Sequence, residues 1–374
     1  MNKMKMTSLI SKKLPAIFLG LVMAINSAYA QTYAESKKII RTFPVNPDTR
    51  LDISNKYGKI QVIQWKKDSV RLEVELSVKS SSQSKLDKTM DNIEIEFTGT
   101  NYYVIANTRF GSTNNTFFND LMDLSGAIIP SKNQVEINYT VMAPSNMTIN
   151  LSNKFGNIYM DDMSGNVTVS LSNGDIKTNR LEGEANISVN FGNGTMNYLN
   201  NAKLNLSYAD FEIRNAGQLT LTSKSSKIRI EKVDVLKIES GRDKYSVSEV
   251  NNLLGESNFS DLQIYKLNEE ANFTSRYGDF TVDSIFRNFS FINLHSEYAD
   301  LDLTFNQESS YYMDISHHPE VDLRIPENFT NLEKVTESST EISVTGRIGN
   351  PVSSSRVEIS APRKCTIIIN QRRI

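Results

Sequence analysis

Between Ile149 and Ile325 the chain rewrites one short phrase: INLSNKFGNI, VSLSNGDIKT, ISVNFGNGTM, LNLSYADFEI, LTLTSKSSKIRI, LKIESGRDKYSV, GESNFSDLQI, NFTSRYGDFTV, INLHSEYADLDL and MDISHHPEVDL. Each copy is an alternating apolar strand, a small polar corner and a second alternating strand. Val167, Val169 and Leu171 precede one corner and Ile176 follows it, while Leu219 and Leu221 precede another and Ile228 and Ile230 follow. Period two with one apolar face turns one side of every strand inward. Repetition at a short period marks a stack of like units. This predicts an all-β chain, a single-stranded parallel β-helix or β-solenoid over 146–326.

Aligning the corners on Gly156, Gly174, Gly194, Ala209, Ser226, Asp243, Ser260, Gly278 and Ala299 gives steps of 18, 20, 15, 17, 17, 17, 18 and 21 residues. Such jitter suits strands joined by corners of variable length. Asn, Gly and Asp tolerate the left-handed backbone that a corner requires. Where Ala-Asp or Ser-Lys replaces Gly, that position does not demand positive φ in every copy.

Upstream, SNKYGKIQVIQW (54–65) nearly duplicates SNKFGNIYMDDM (152–163). Between them, VRLEVELSV, IEIEF, YYVIANT and QVEINYTVMAP read as strands. Leu86, Met90 and Ile93 fall at helical spacing near 82–92, with Ser80–Ser82 available as an N-cap. Residues 31–145 are therefore expected to form a β-rich N-terminal unit with one short helix. Its irregular insertion at 109–133 carries Phe117, Phe118, Leu121, Met122 and Leu124. Residues 327–374, with EISVTG, SRVEIS and CTIIIN, are expected to cap the other end, because exposed ladder ends invite aggregation.

Residues 1–30 have the layout of a secretory signal peptide. Lys3, Lys5, Lys12 and Lys13 precede an apolar run from Leu14 to Ile25 and the small-x-small site Ala28-Tyr29-Ala30. No later stretch is apolar enough to span a bilayer as a helix. Removing the leader leaves 37 bases against 43 acids, and this acidic balance gives no reason to expect a nucleic-acid partner. Cys365 is the only cysteine, so an exported chain must hold itself together without disulfides. Its place in the apolar strand CTIII predicts a buried, inert thiol.

The signal peptide, LDISNKYGKIQVIQW, the insertion ending in INYTVMAP, and LSNKFGNIYMDDMSGNVTVSLSNGDI together resemble the "putative adhesin" family of exported bacterial β-solenoid proteins. The resemblance runs from about residue 40 to 325. It implies export to the periplasm or cell surface of a Gram-negative bacterium, and it brings no catalytic residues.

No Ser-His-Asp order, phosphate loop or dinucleotide fingerprint is present, so no catalytic residue is assigned. His317-His318 and His295 make a poor metal site, since adjacent strand residues face opposite ways. A solvated corner is expected for the pair, and no metal or other cofactor is expected. Asp175, Asp210, Asp261, Asp279 and Asp300 recur at one corner position, where turn chemistry explains an Asp without any ligand.

Aromatics recur there too: Tyr57, Phe155, Phe191, Tyr208, Tyr245, Phe259, Tyr277 and Tyr298. Packing is expected for the Phe residues. The candidate binding residues are Tyr208, Tyr245, Tyr277, Tyr298, Asp210, Asp279 and Asp300. The expected role is a non-enzymatic envelope or surface protein that binds a glycan or an envelope or matrix protein. A polysaccharide-active enzyme and a periplasmic partner in an envelope-stress circuit are the alternatives.

Overall fold

A computed structural model describes residues 32–111 and 134–373. Residues 1–30, expected to be a signal peptide, and most of the 109–133 insertion lie outside the described residues. The fold is all-β, one sheet of 22 strands with one helix among the described residues.

Successive copies pair in parallel. Val167 stands opposite Ile149 on one side and Ala185 on the other. Side-chain bonds between neighbouring copies span 18 residues at Asp175–Asn193, 17 at Ala209–Ser226 and 21 at Asn272–Asn293. In-register pairing stacks like on like. One inward column runs Leu219, Leu236, Leu253, Ala271, Ile292, Val357, Met313. A second runs Ile228, Tyr245, Leu262, Phe280, Leu301, Ile367, Leu323. Nearly all these side chains are buried, each large aliphatic one contributing about 1.5–3 kcal/mol.

Both ends of the ladder are built out of chain order. Strand Arg50–Lys56 pairs in parallel with Thr148–Lys154 on one side and Tyr103–Phe110 on the other. Strand Ile60–Gln64 likewise lies between Ile158–Met160 and Gln134–Ala143. Antiparallel strands then close this end: Ser69–Ser80 on Gln134–Ala143, Tyr33–Pro44 on Ser69–Ser80, and Ile93–Gly99 on Tyr103–Phe110.

Helix α1 (Gln83–Asp91) buries Leu86 and Thr89 against these closing strands. Ser82 occupies its N-cap position, yet its side chain makes no capping bond. A groove of about 590 Å³ opens here, lined by Ile39, Leu76, Met90, Ile93, Phe97 and Arg41 among others.

The C-terminal end differs from the expected set of capping strands. Strand Arg356–Ala361 is seated between Phe291–Asn306 and Tyr311–His317, and Thr366–Arg372 between Phe291–Asn306 and Asp322–Arg324. Only Leu332–Ser338 and Glu341–Ile348 close the edge, the latter antiparallel to Tyr311–His317. SRVEIS and CTIIIN are apolar enough on one face to fill an interior layer, and there they bury Val357, Ile359, Ile367 and Ile369.

The expected solvated corner at His317-His318 is also corrected. His317 is the last residue of strand Tyr311–His317, paired with both Ile342 and Ala361, and is buried. The column of His295 continues through Ser360 to Ser316, so His317 points away from it.

Candidate binding face at the repeat corners

One residue adopts a left-handed backbone in the upstream SNKYGKI phrase and in every copy from INLSNKFGNI to INLHSEYADLDL: Tyr57, Phe155, Asn173, Phe191, Tyr208, Ser225, Arg242, Phe259, Tyr277 and Tyr298 all have φ between 52° and 65°. A bulky side chain at positive φ is uncommon and costs about 1–3 kcal/mol, so its recurrence reflects a corner imposed by the surrounding ladder. The left-handed seat lies one residue before the small corner residues aligned from sequence, which is why their variation looked permissive.

The alignment also shifts at one copy. The residue after Phe191 is Gly192, not Gly194, and the step from Gly174 becomes regular. A Cβ on Gly192 would lie 1.9 Å from the Gly174 carbonyl oxygen, and one on Gly174 would lie 2.1 Å from that of Gly156. Glycine there lets successive corners approach closely. Gly194 has a different role, leaving space for the Phe211 ring, which an added Cβ would strike at 2.2 Å.

Seven of the eight aromatics expected near the corner occupy the left-handed seat, and the copies stack their rings. Tyr57 lies on Phe155 with centroids 5.5 Å apart and planes 9° apart. Phe191 lies on Tyr208 at 4.9 Å and 2°. Phe259, Tyr277 and Tyr298 form a triple stack at 4.6 and 5.2 Å. Phe191 and Phe259 are more than half exposed, which corrects the expectation that the Phe residues pack inward. Tyr208, Tyr277 and Tyr298 are exposed beside them.

Tyr245 is the exception among the candidates. It sits three residues past Arg242, in the inward column, and is only 3% exposed. Its hydroxyl bonds to Ser223, and burial pushes the phenol well above its ordinary range. An aromatic three positions past the seat falls in the inward column, and composition alone could not distinguish it.

Tyr245 adjoins a buried polar corner. Asp243 accepts Ser223 and Ser240 hydroxyls at 2.7 Å each, and the N–H groups of Gly241 at 3.0 Å and Ser226 at 2.6 Å. These bonds satisfy a carboxylate that is only 2% exposed.

The five recurring aspartates do share one position, two residues after the seat. Lys227 and Lys244 occupy that position in two intervening copies, so the acidic row is broken. Asp210 bonds Arg229 at 2.9 Å, Asp261 meets Lys244 at 3.9 Å, and Asp175 accepts the Asn193 N–H and Nδ2. Asp300 accepts the Thr366 N–H. Partial burial, and then the charges of Asp261 and Asp300, raise the Asp279 carboxyl above its ordinary range. Among the described residues, no group of three or more His, Cys, Asp or Glu is arranged to hold a metal.

What this face offers is a row of ring edges, phenol hydroxyls and amides. Cations lie over some rings: Lys56 is 4.6 Å from the Tyr57 centroid, Lys154 5.3 Å from Phe155, and Arg242 5.8 Å from Phe259. No described helix is long and apolar enough to cross a membrane.

No family model matches the chain, and no curated protein matches it. Among solved structures it is similar to a "putative cell adhesion protein" from Clostridium sporogenes, with 9% identity over 90% of this chain and 100% of the other and a TM-score of 0.21. It is similar to a "putative lipid binding protein" from Parabacteroides distasonis at 14% identity, covering 73% and 92%, with a TM-score of 0.25. It is also similar to a "putative adhesin" from Bacteroides fragilis at 11% identity, covering 89% and 97%, with a TM-score of 0.21. Likenesses of this degree carry no functional argument.

Proposed function

We propose that the parallel ladder is a β-solenoid and that the protein is a non-enzymatic, exported envelope or surface component binding a glycan or protein through its corner face. One observation carries the reading. Exposed aromatics recur in the left-handed seat, where inward packing does not require them. Large rings left in solvent on a fixed scaffold are the composition of a recognition surface.

Export to the periplasm or cell surface of a Gram-negative bacterium rests on the pattern of residues 1–30. The free, buried Cys365 is compatible with it, since the packed columns hold the chain without cross-links. The alternative of a polysaccharide-active enzyme stands or falls on turnover by the purified protein.

The test is fractionation of the native host, followed by glycan and matrix-protein binding with the wild type and a Tyr208→Ser/Tyr277→Ser/Tyr298→Ser variant. A folded variant with at least tenfold weaker binding supports the reading. Equal binding by the two proteins overturns it.

A further inference from the structure

Stacking determines what the aromatic row is able to bind. A ring sandwiched between neighbours presents only its edge, because its two faces, which carry the negative lobes of the quadrupole, are already covered. Ring faces remain open only where a rung is missing, and the row lacks a rung at Asn173. Phe155 has Tyr57 on one face and Phe191 has Tyr208 on one face. Among the described residues no ring covers either of their other faces, and these look toward Asn173 from opposite sides.

The width of this gap follows from the ladder. The backbone is continuous across it: Phe155 N–H donates to the Ser172 carbonyl and Asn173 N–H to that of Asn190, each at 2.9 Å. Phe155 and Phe191 are therefore two strand spacings apart, about 9.5 Å. That leaves each face about 4.7 Å from a ring placed midway, within the 4.6–5.5 Å seen between stacked rings elsewhere in the row. The gap accepts one six-membered ring. Its flank is open, since Gly156, Gly174 and Gly192 follow the three seats and bear no side chain.

The lining is polar and close to neutral. Asn173 is exposed at the floor. Asn157, Asp175 and Asn193 form a bonded row beside it, with Asp175 N–H donating to Asn157 Oδ1 and Asn193 donating to Asp175. The Lys154 ammonium stands over Phe155 and is a further donor. Aromatic faces opposed across amides suit a sugar, whose axial C–H groups meet the rings while its hydroxyls take the amides.

We infer that the missing rung at Asn173 is a binding slot for one pyranose ring of a neutral glycan, held between the faces of Phe155 and Phe191. This rests on the binding role proposed above and narrows it to one place and one ligand class. The second interruption, at Ser225 and Arg242, lacks two rungs, so its walls Tyr208 and Phe259 are three strand spacings apart, too far to hold one ring between them.

The experiment fills the slot. Asn173→Phe supplies the missing rung in a backbone conformation that Phe155 and Phe191 already hold at φ 58°. Binding of cello-, chito-, manno- and β-1,3-gluco-hexaose is measured by calorimetry for wild type, Asn173→Phe, Phe191→Ser and Tyr265→Ser, the last an exposed tyrosine outside the left-handed seats, with folding checked by circular dichroism. The expected result is at least a tenfold loss of oligosaccharide affinity in Asn173→Phe and Phe191→Ser, and less than twofold change in Tyr265→Ser. Phe191→Ser keeps the test decisive if Asn173→Phe does not fold.

Unchanged glycan binding in folded Asn173→Phe or Phe191→Ser overturns the slot while leaving the wider corner face standing. No oligosaccharide binding by wild type at millimolar concentration overturns the slot. Binding confined to a matrix-protein arm also does so, while retaining the binding role.

Discussion

The Thr366 backbone N–H donates to the Asp300 carboxylate at 2.6 Å across 66 positions of sequence. Asp300 belongs to the last strand before the chain lays down its outermost repeat, and Thr366 to the segment that returns to fill the layer between them.

That return makes the C-terminus an interior part. Deleting residues 350–374 removes the shared partner of 291–306 and 311–324 and takes Val357, Ile359, Ile367 and Ile369 from the core. Their burial amounts to about 6–12 kcal/mol, comparable with a whole domain's stability of about 5–15 kcal/mol. The truncated protein is expected to lose the structure of 291–348, seen as new proteolytic cleavage there. A synthetic 350–374 peptide added in trans should restore protection, and a truncation that melts like the full chain would contradict the topology.

Close approach at the corners predicts a second effect. Gly174→Ala places a Cβ 2.1 Å from the Gly156 carbonyl oxygen, a backbone atom with nowhere to move. Overpacking of this kind costs about 1–3 kcal/mol. Chemical denaturation should show that loss, whereas alanine replacing Gly241, whose nearest neighbour would be 3.9 Å away, should stay within about 0.5 kcal/mol of wild type.

The Asp243 corner predicts a third. Asp243→Ala removes the acceptor of two buried hydroxyls and two backbone N–H groups. Ser223 and Ser240 keep Tyr245 and Ser260 as partners, so the cost falls on the two N–H groups, about 1–3 kcal/mol each when left unpaired. A loss of about 2–6 kcal/mol in urea unfolding is expected, with Asp243→Asn losing less because its amide oxygen still accepts. Equal losses for the two variants would show that the bonds to the carboxyl oxygens are not what stabilises this corner.

pH provides a fourth. Partial burial and the flanking Asp261 and Asp300 charges raise the folded-state Asp279 carboxyl. The native state therefore holds that proton more tightly than the unfolded chain. Stability from this group is fully present below the ordinary carboxylate range and is lost as pH rises through the raised value. Asp279→Asn should melt slightly higher than wild type at pH 7, and the difference should close by pH 3. A difference that is the same at both values would remove the electrostatic explanation.

Much of this architecture is written locally. Alternation in VTVSL or LTLTS sets a strand with one buried face, because side-chain direction reverses at every residue. Recurrence of that pattern implies that like faces stack. The aromatic position was visible as well, but its backbone was not. Left-handed φ at Phe191 or Tyr298 comes from a corner held between two neighbours, and no intrinsic preference of Phe or Tyr announces it.

The sequence by itself determined strand content, the inward apolar columns and the recurrence of aromatics and aspartates at one corner. Tertiary structure decided which repeats are neighbours, why Gly192 rather than Gly194 follows the seat, and why Tyr245 faces the core while Tyr277 faces solvent. The reason is that parallel register is a sum over long-range pairings. A shift of one residue reverses every side chain, so the partner strand, not the local phrase, settles which side of the ladder a residue occupies.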